Sequence, residues 1–292
     1  MMRVLLIAIF GILPLWSQDK KASGDGLADL AEMVLGKNGG NKLFYFPTEH
    51  SPRSPEEFGL RFEDVFFDSE DGTKLHGWFM KPEAEKASKG TVVFSHGNAG
   101  AVGYHIGFLD WFVKAGYQVL LYDYRGYGKS KGVIKREGLL KDVRAALKYV
   151  AGRKDVDASK LISFGHSLGG AKSLAALGEK KVPGVKAVIS YAGFASYRDM
   201  AKWVAGDTGA RLVTDELAAR DLVAKIAPVP VLIIHGTRDG TVPLQQGELL
   251  FQKAKEPKTF FKIDGGGHNS ALAFNNGEYQ KKVLKWLDQV ME

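Results

Sequence analysis

The pattern of apolar positions changes partway along the chain. Residues 62–68 alternate between apolar and polar, and a turn signal at Asp71-Gly72 separates them from a second stretch at 74–80, which reads KLHGWFM. This pattern predicts an antiparallel hairpin. Later apolar runs are short, rich in β-branched and aromatic residues, and lack strict alternation; they occupy residues 91–95, 119–122, 161–164, 185–190, 229–234 and 260–263. Such runs are typical of strands buried on both faces of a parallel sheet.

Stretches with helical spacing lie between these runs. The main ones cover residues 104–115, 138–151 and 168–179, and a last helix is expected at about 278–290. Regular alternation of strand and helix predicts an α/β fold with a mostly parallel sheet and helices on both faces. In such sheets, ligands bind beyond the carboxyl ends of the strands, so the loops that follow the strands are the place to look for chemistry.

The amino terminus has a different character. A single Arg3 precedes 13 apolar residues at 4–16, too few to cross a bilayer comfortably but enough for the core of a signal peptide. We therefore expect residues 1–17 to be a signal peptide or, alternatively, an uncleaved anchor. Residues 18–42 are predicted to be a linker with one short helix at 27–35, and residues 43–292 to be the main domain. The expected location is periplasmic or secreted, with peripheral membrane association through the amino terminus as the alternative.

Composition narrows the function classes. The 292 residues are 45% hydrophobic and 25% charged, which is ordinary for a globular protein. The absence of cysteine excludes disulfides, thiolate metal sites and a cysteine nucleophile. The formal net charge of +7 is spread among acidic residues without a basic run, which favours a solvated basic surface over a nucleic-acid interface. Glycine is in excess, at 35 residues, which indicates many tight turns or close approaches of the backbone.

A nucleophile candidate follows the run at 161–164. There the sequence continues as Gly165-His166-Ser167-Leu168-Gly169 and enters a helical stretch, which is G-x-S-x-G between a strand and a helix. In this setting a serine is raised on a sharp turn, and the helix amino terminus directs N–H groups toward developing negative charge. We expect Ser167 to be a nucleophile; the alternative is a purely structural turn.

A serine nucleophile needs a general base and an orienting carboxylate. Of seven histidines, His268 stands apart because it follows the last predicted strand in a glycine-rich loop. Asp239 follows the run at 229–234 and precedes His268, with Asp199 as a reserve candidate. The resulting order Ser167, Asp239, His268 is that of the α/β-hydrolases. The other histidines are expected to pack or to form local hydrogen bonds.

The oxyanion hole is expected to use two main-chain N–H groups. One should come from Leu168, directly after the nucleophile, and the other from the loop after strand 91–95, where Asn98 is favoured over Ala99. Asp123 and Arg125 follow the run at 119–122 and are expected to support neighbouring loops, although catalytic roles remain open.

The segments FEDVFFDSEDGTKLHGWF, VVFSHGNAG, LLYDYRGYGKS, GHSLGG, VLIIHGTRDGTVP and GGGH resemble the α/β-hydrolase superfamily from about residue 43 to the end. The closest resemblance is to bacterial serine-aminopeptidase-like (S33-like) hydrolases, which are similar to membrane-associated depalmitoylase-type hydrolases. The resemblance implies an eight-stranded sheet and a serine hydrolase without cofactor or metal, with the triad and oxyanion residues above. The sequence departs from the family in its short insertion at about 194–226, which is the expected lid. Its candidate acyl contacts are Tyr197, Met200, Trp203 and Val204, and so short a lid suggests an open, shallow acyl site.

The expected activity is hydrolysis of a small acyl ester or other acylated substrate, that is, of carboxylic esters or thioesters, through an acyl-enzyme on Ser167. A serine peptidase of aminopeptidase type is the enzymatic alternative. A non-catalytic binding module on the same fold is the alternative from another class. No nucleic-acid partner is expected.

Overall fold

The computed structural model describes residues 33–36, 39–82 and 88–291. Its centre is an eight-stranded sheet, and a separate two-stranded pair joins β1 to β5. The strands are β1 (Phe46–Pro47), β2 (Arg61–Asp68), β3 (Lys74–Lys81), β4 (Thr91–Ser95), β5 (Ala99–Gly100), β6 (Gln118–Asp123), β7 (Leu161–His166), β8 (Val185–Tyr191), β9 (Val231–Gly236) and β10 (Lys258–Ile263). All eight strands of the sheet overlap the runs that the sequence predicts.

The order across the main sheet is β10-β9-β8-β7-β4-β6-β3-β2. The pairs β2–β3 and β3–β6 are antiparallel, and every other neighbouring pair is parallel. The mostly parallel sheet and the amino-terminal hairpin are thereby confirmed. Because β4, β6, β7, β8, β9 and β10 run in one direction, the loops at their carboxyl ends share one edge of the sheet.

The core explains why the predicted strands lack alternation. Every residue of β4, β6, β7 and β9 is buried, as expected for strands covered on both faces. One cluster of the core contains alternate positions of neighbouring strands, including Val92 with Phe94 and Ile162 with Phe164. The intervening positions, such as Val93, are buried as well, so both faces of the central strands are packed.

The helices are α1 (Asp110–Lys114), α2 (Arg136–Ala151), α3 (Leu168–Glu179), α4 (Tyr197–Arg211), α5 (Ala219–Leu222), α6 (Leu244–Lys253) and α7 (Phe274–Met291). The bounds of α3 match the sequence prediction, and α2 begins two residues earlier than expected. The first residues of α7 have non-helical backbone angles at Asn275, Asn276 and Gly277, so its regular part begins where the sequence predicts.

The predicted helix at 104–115 is wrong as a single element. The structure has two 3₁₀ turns, Val102–Tyr104 and Ile106–Phe108, followed by the short α1. Gly103 approaches main chain closely, because a Cβ there would lie 2.5 Å from the carbonyl oxygen of Arg53. Glycine at 107 also lowers the helical propensity of the predicted segment.

The chain divides into two compact units. One contains the described residues up to Phe44 together with Ser196–Glu216, and the other contains Tyr45–Ala195 with the rest of the chain from Leu217. Within the first unit, the rings of Phe44 and Tyr197 pack edge to face with their centroids 5.1 Å apart, and Asn41 Nδ2 donates to Thr214 Oγ1. Non-helical angles at Ala205 and Gly206 interrupt α4. Ser196–Glu216 falls inside the range predicted as a lid, and that function stays a prediction.

The predicted signal segment at 1–17 and most of the predicted helix at 27–35 lie outside the described residues; residues 33–35 are helical. Across the portion of the chain that is described, no helix combines the length and the apolar character that crossing a membrane requires.

Candidate active site

Ser167 occupies the sharp turn between β7 and α3. Its φ of 55° and ψ of −116° lie outside the ordinary regions for a non-glycine residue, and such outliers cluster at functional sites. The last residue of β8 fixes this turn, because the Ser167 N–H donates to the carbonyl of Tyr191 at 2.8 Å. Ser167 is 8% exposed. The strand–turn–helix setting that the sequence predicts for this serine is therefore present.

The glycines two residues before and two residues after Ser167 are required by close packing. A Cβ on Gly165 would lie 2.2 Å from the carbonyl oxygen of Gly169, and a Cβ on Gly169 would lie 1.8 Å from that of Ser95. Both distances are far inside van der Waals contact. The G-x-S-x-G spacing thus lets helix α3 start directly against β4 and β7.

Asp239 and His268 lie in hydrogen-bond contact, although 29 positions separate them. His268 Nδ1 is 2.7 Å from Asp239 Oδ2. The other carboxylate oxygen of Asp239 accepts the N–H groups of Thr241 and Val242, each at 2.9 Å, which fixes the buried carboxylate. Because a carboxylate accepts, the imidazole donates its Nδ1–H, and this tautomer leaves the Nε2 lone pair for proton transfer.

His166 connects the serine turn to the His268 loop. Its Nε2 lies 3.2 Å from the main-chain carbonyl of His268, and its ring stacks on Phe108 with centroids 4.6 Å apart. Burial, reinforced by His268 and His105, holds the pKa of His166 well below its ordinary value. The imidazole is therefore neutral, and its one N–H is the group that the His268 carbonyl accepts.

The loop that contains Asn98 is anchored through its carbonyl groups. The Asn98 carbonyl accepts the N–H of Phe46 at 2.8 Å and the hydroxyl of Tyr127 at 2.9 Å. The loop adjoins the serine, because a Cβ on Gly97 would lie 3.9 Å from Ser167 Cβ. Leu168 is the first residue of α3, where N–H groups lack intrahelical acceptors. Both predicted oxyanion residues thus flank the serine turn.

Asp123 and Arg125 contact neighbouring loops, in keeping with the structural role that the sequence favours. Asp123 Oδ1 accepts the N–H of Val102 at 2.9 Å, and burial raises the pKa of Asp123. The Arg125 guanidinium pairs with Asp142 at 2.7 Å and with Asp71 at 2.9 Å. None of these contacts involves the predicted triad.

Sequence reasoning missed the residues that hold the predicted catalytic loops. Tyr124 donates its hydroxyl to the His96 carbonyl at 3.0 Å, and His235 Nε2 lies 2.9 Å from the Val242 carbonyl, next to Asp239. Burial lowers the pKa of His235, so its imidazole is neutral. The spacing of the aromatic residues in YDYRGYGKS is the sequence feature that could have pointed to Tyr124 and Tyr127. It does not indicate which carbonyl each hydroxyl contacts.

The candidate acyl contacts all lie on α4. Tyr197 and Met200 are buried, Trp203 is 48% exposed, and Met200 and Val204 line an apolar cavity together with Leu43, Phe44 and Leu212 of the same unit. The reserve acid Asp199 is in the first turn of α4, where its N–H donates to Ser196 Oγ. For these residues, contact with an acyl group stays a prediction. Among the described residues, no cluster of three or more His, Asp or Glu side chains could hold a metal ion.

A mostly parallel eight-stranded sheet with a serine turn after β7 and an acid and a histidine after later strands defines the class of α/β-hydrolases. A family model described as "Serine aminopeptidase, S33" matches residues 86–209. Two relatives extend the likeness over most of the chain. The "Uncharacterized protein YfhR" of Escherichia coli O157:H7 is 35% identical over 84% of this chain and 86% of its own length. The "Alpha/beta hydrolase domain-containing protein WAV2" of Arabidopsis thaliana is 32% identical over 85% and 87%.

Solved structures agree on the fold. The Pyrococcus furiosus esterase PF2001 superposes with a TM-score of 0.71 at 19% identity, covering 85% of this chain and 99% of the esterase. The acetyl xylan esterase from Paenibacillus sp. R4 gives a TM-score of 0.65 at 20% identity, covering 91% and 94%. The chain belongs to the α/β-hydrolase superfamily.

Proposed function

We propose that this α/β-hydrolase cleaves carboxylic esters or thioesters through an acyl-enzyme on Ser167. The observation that carries the proposal is the 2.7 Å contact between His268 Nδ1 and the fixed carboxylate of Asp239, in a chain whose Ser167 stands on a strained turn. A serine, an imidazole with its Nδ1–H engaged and a buried carboxylate are the three groups that nucleophilic acyl transfer needs.

In the proposed acylation step, Ser167 Oγ bonds to the acyl carbon while its proton passes to His268 Nε2. The carbonyl electrons move onto the oxygen, and the N–H groups of Asn98 and Leu168 stabilise the resulting oxyanion. Asp239 stabilises the imidazolium without taking its proton. The tetrahedral species then collapses, and the alcohol or thiol leaves with the proton from His268.

In the proposed deacylation step, water takes the place of the leaving group. His268 Nε2 accepts a proton from the water as the water oxygen bonds to the acyl carbon, and it returns that proton to Ser167 Oγ as the ester bond breaks. The products are the free carboxylic acid and the regenerated serine. No redox or metal step is required for the atoms and electrons to balance.

A serine peptidase is the second candidate, and the family match to the S33 serine aminopeptidases favours it. An aminopeptidase has to recognise a charged amino terminus, which calls for a carboxylate beside the acyl site. The two candidates share the acyl-enzyme and differ in the leaving group. Turnover of different substrates therefore distinguishes them, whereas an inhibitor that labels the serine does not.

The experiment combines labelling with a substrate panel. Wild-type protein, Ser167→Ala and a control, Ser173→Ala, are treated with a fluorophosphonate probe and assayed on p-nitrophenyl esters of increasing chain length, a thioester and an aminoacyl p-nitroanilide. Ser173 lies on the same helix, and its hydroxyl has no hydrogen-bond partner among the described residues, so its loss should leave activity unchanged. We expect labelling and ester or thioester turnover in wild type and Ser173→Ala only.

Each outcome decides between the candidates. Faster turnover of the anilide than of the esters would replace the esterase proposal with the peptidase. Folded wild-type protein that neither labels nor hydrolyses any member of the panel would favour a binding module. Trp203→Ala in the same panel tests the predicted lid, because an unchanged profile of acyl chain length would contradict acyl contact by this exposed side chain.

We further propose that the protein is exported and that the amino-terminal segment either is removed or attaches it to a membrane. Fractionation of the native host followed by mass spectrometry of the amino terminus tests this. A cytosolic protein that begins at Met1 would overturn the proposal.

A further inference from the structure

His96 forms a hydrogen bond with its own neighbour in the chain. Its Nδ1 lies 2.7 Å from the carbonyl oxygen of Gly97, and the side chain is fully buried at the end of β4. Burial, together with nearby His105, holds the pKa of His96 well below its ordinary value, so the imidazole is neutral and carries one N–H. Since a carbonyl oxygen only accepts, that hydrogen sits on Nδ1.

The Gly97 carbonyl and the Asn98 N–H belong to the same peptide unit. In a planar trans peptide the C=O and N–H bonds point in opposite directions, so fixing one fixes the other. The Asn98 N–H is therefore directed away from the His96 ring. The next peptide is fixed in the same way, because its carbonyl, that of Asn98, accepts from Phe46 and Tyr127.

The peptide that His96 holds is adjacent to the serine turn. The backbone of Gly97 is close enough that a Cβ there would lie 3.9 Å from Ser167 Cβ and 3.5 Å from His166 Nδ1. An N–H that is aimed from this peptide starts from backbone beside Ser167, and the proposed function assigns it as a donor to the oxyanion. The donor in question is the main-chain N–H of Asn98, not its side chain.

We propose that His96 is the positioning residue of the oxyanion hole, and that it directs the Asn98 N–H through its hydrogen bond to the Gly97 carbonyl. This inference rests on the proposed acyl-transfer function. His96 itself touches no reacting atom, and its effect on the reaction runs entirely through the orientation of one peptide.

The surroundings of His96 prevent its ring from turning away. The ring stacks on His105 with centroids 4.8 Å apart and meets the rings of Tyr124 at 4.5 Å and Tyr127 at 5.1 Å. Its Nε2 has no hydrogen-bond partner among the described residues, and the nearest carboxylate oxygen, Asp123 Oδ1, is 3.8 Å away. The one polar contact that the imidazole makes with its own N–H is thus the contact with the Gly97 carbonyl.

His105 provides a matched comparison. It is buried in the same stack, and its Nε2 lies 3.0 Å from the Ala99 carbonyl. Its hydrogen bond therefore holds the Ala99–Gly100 peptide, which does not carry the Asn98 N–H. Replacing either histidine with phenylalanine keeps a ring in the stack and removes one hydrogen-bond donor.

The kinetic test uses full-length His96→Phe, His96→Asn and His105→Phe. Asparagine carries an N–H donor at the position of Nδ1 without the ring, so it should rescue the effect of phenylalanine. We expect His96→Phe to lower kcat on a p-nitrophenyl ester roughly 10- to 100-fold with KM little changed, because one oxyanion donor is typically worth about 10²–10³ in kcat. Binding of a trifluoromethyl ketone analogue of the tetrahedral intermediate should weaken by a similar factor.

Several results would overturn the inference. These are wild-type kcat in folded His96→Phe, an equal loss of kcat in His105→Phe, or no rescue by a folded His96→Asn. If wild-type protein has no acyl-transfer activity, the proposed function has failed, and the comparison of variants does not arise.

A measurement on wild-type protein covers the case in which the variants fail to fold. Long-range ¹H–¹⁵N correlation spectra of histidine-labelled protein report which ring nitrogen carries the hydrogen. We expect His96 to be the neutral Nδ1–H form near neutral pH. A neutral Nε2–H form would remove the hydrogen bond to the Gly97 carbonyl and overturn the inference, whether or not the protein is active.

Discussion

His166 and His268 are joined by a hydrogen bond that links positions 102 residues apart, from the His166 ring to the His268 main-chain carbonyl. Because His166 directly precedes Ser167, the loop that carries His268 is tied to the serine turn itself. The bond requires a hydrogen on Nε2. Burial holds the pKa of His166 well below its ordinary value, so the ring is neutral and its one hydrogen is the one that the His268 carbonyl accepts. Two groups that are remote in sequence thereby keep a fixed separation.

Changing His166 to phenylalanine tests this link. The ring stacking on Phe108 and Tyr191 is kept, but the donor to the His268 carbonyl is lost. We expect kcat on an ester substrate to fall roughly 10- to 100-fold, because small displacements of catalytic groups have effects of that order. His166→Gln, which carries an N–H donor near the position of Nε2, should recover part of the loss in steady-state kinetics. Unchanged kcat in a folded His166→Phe would contradict the link.

Asp239→Asn tests the role of the carboxylate. An amide keeps the size of the side chain but removes the charge that stabilises an imidazolium, so we expect kcat to fall roughly 10³- to 10⁴-fold. Asp264→Asn is the control, since Asp264 is exposed on the His268 loop and accepts from Thr237 Oγ1 rather than from an imidazole. Initial rates at saturating ester would reveal the difference. Comparable rates for the two variants would argue against a catalytic carboxylate at 239.

Gly169→Ala should destabilise the fold strongly. The added methyl group would meet the Ser95 carbonyl oxygen at 1.8 Å and the His96 carbonyl oxygen at 2.7 Å, and main chain cannot move aside easily. We expect the free energy of unfolding to fall by about 3 kcal/mol or more. Gly240→Ala is the control, because a Cβ there meets nothing within 4 Å. Urea titration followed by fluorescence measures both, and equal stabilities would contradict the packing of the serine turn.

Stability should decrease on acidification in a way that depends on the buried histidines. Burial lowers the pKa of His105 to about 4, whereas the unfolded chain titrates near the ordinary value of 6.5. Between these two values the unfolded state binds a proton that the folded state does not, so stability is full above about 6.5 and is lost as pH falls toward 4. His96, His166 and His235 are shifted in the same direction.

The measurement is the free energy of unfolding in urea at several pH values between 4.5 and 7. Each histidine of this kind contributes up to about 1.4 kcal/mol per pH unit to the slope. His105→Phe should reduce the slope by up to that amount, whatever it does to stability at pH 7. Parallel curves for the two proteins would show that His105 is not held neutral by the fold.

The proposed catalytic residues are easier to predict from sequence than the residues that hold them in place. Ser167 follows from glycine spacing between a strand and a helix, and Asp239 and His268 follow from their places after later strands. Each of these signals can be read locally, from a residue's place just after a strand. The carboxyl ends of parallel strands lie at one edge of the sheet, so residues in those places are expected to come together. The hydrogen-bond partner of a buried imidazole cannot be predicted in this way. His96 bonds to the carbonyl of residue 97, whereas His166 bonds to the carbonyl of residue 268. Nothing in the local sequence distinguishes the two.

The sequence by itself determined the order of strands and helices, the hairpin that precedes them and the position of the serine turn. It did so because side-chain periodicity and glycine spacing act over a few residues. It failed at 104–115, where the path of the chain depends on the close approach of Gly103 to the Arg53 carbonyl, 50 positions earlier. Only the tertiary structure decided which carbonyl each buried histidine holds and that these rings are neutral. Both properties arise from burial and from contacts between distant segments, which become defined only when the sheet and its loops are assembled.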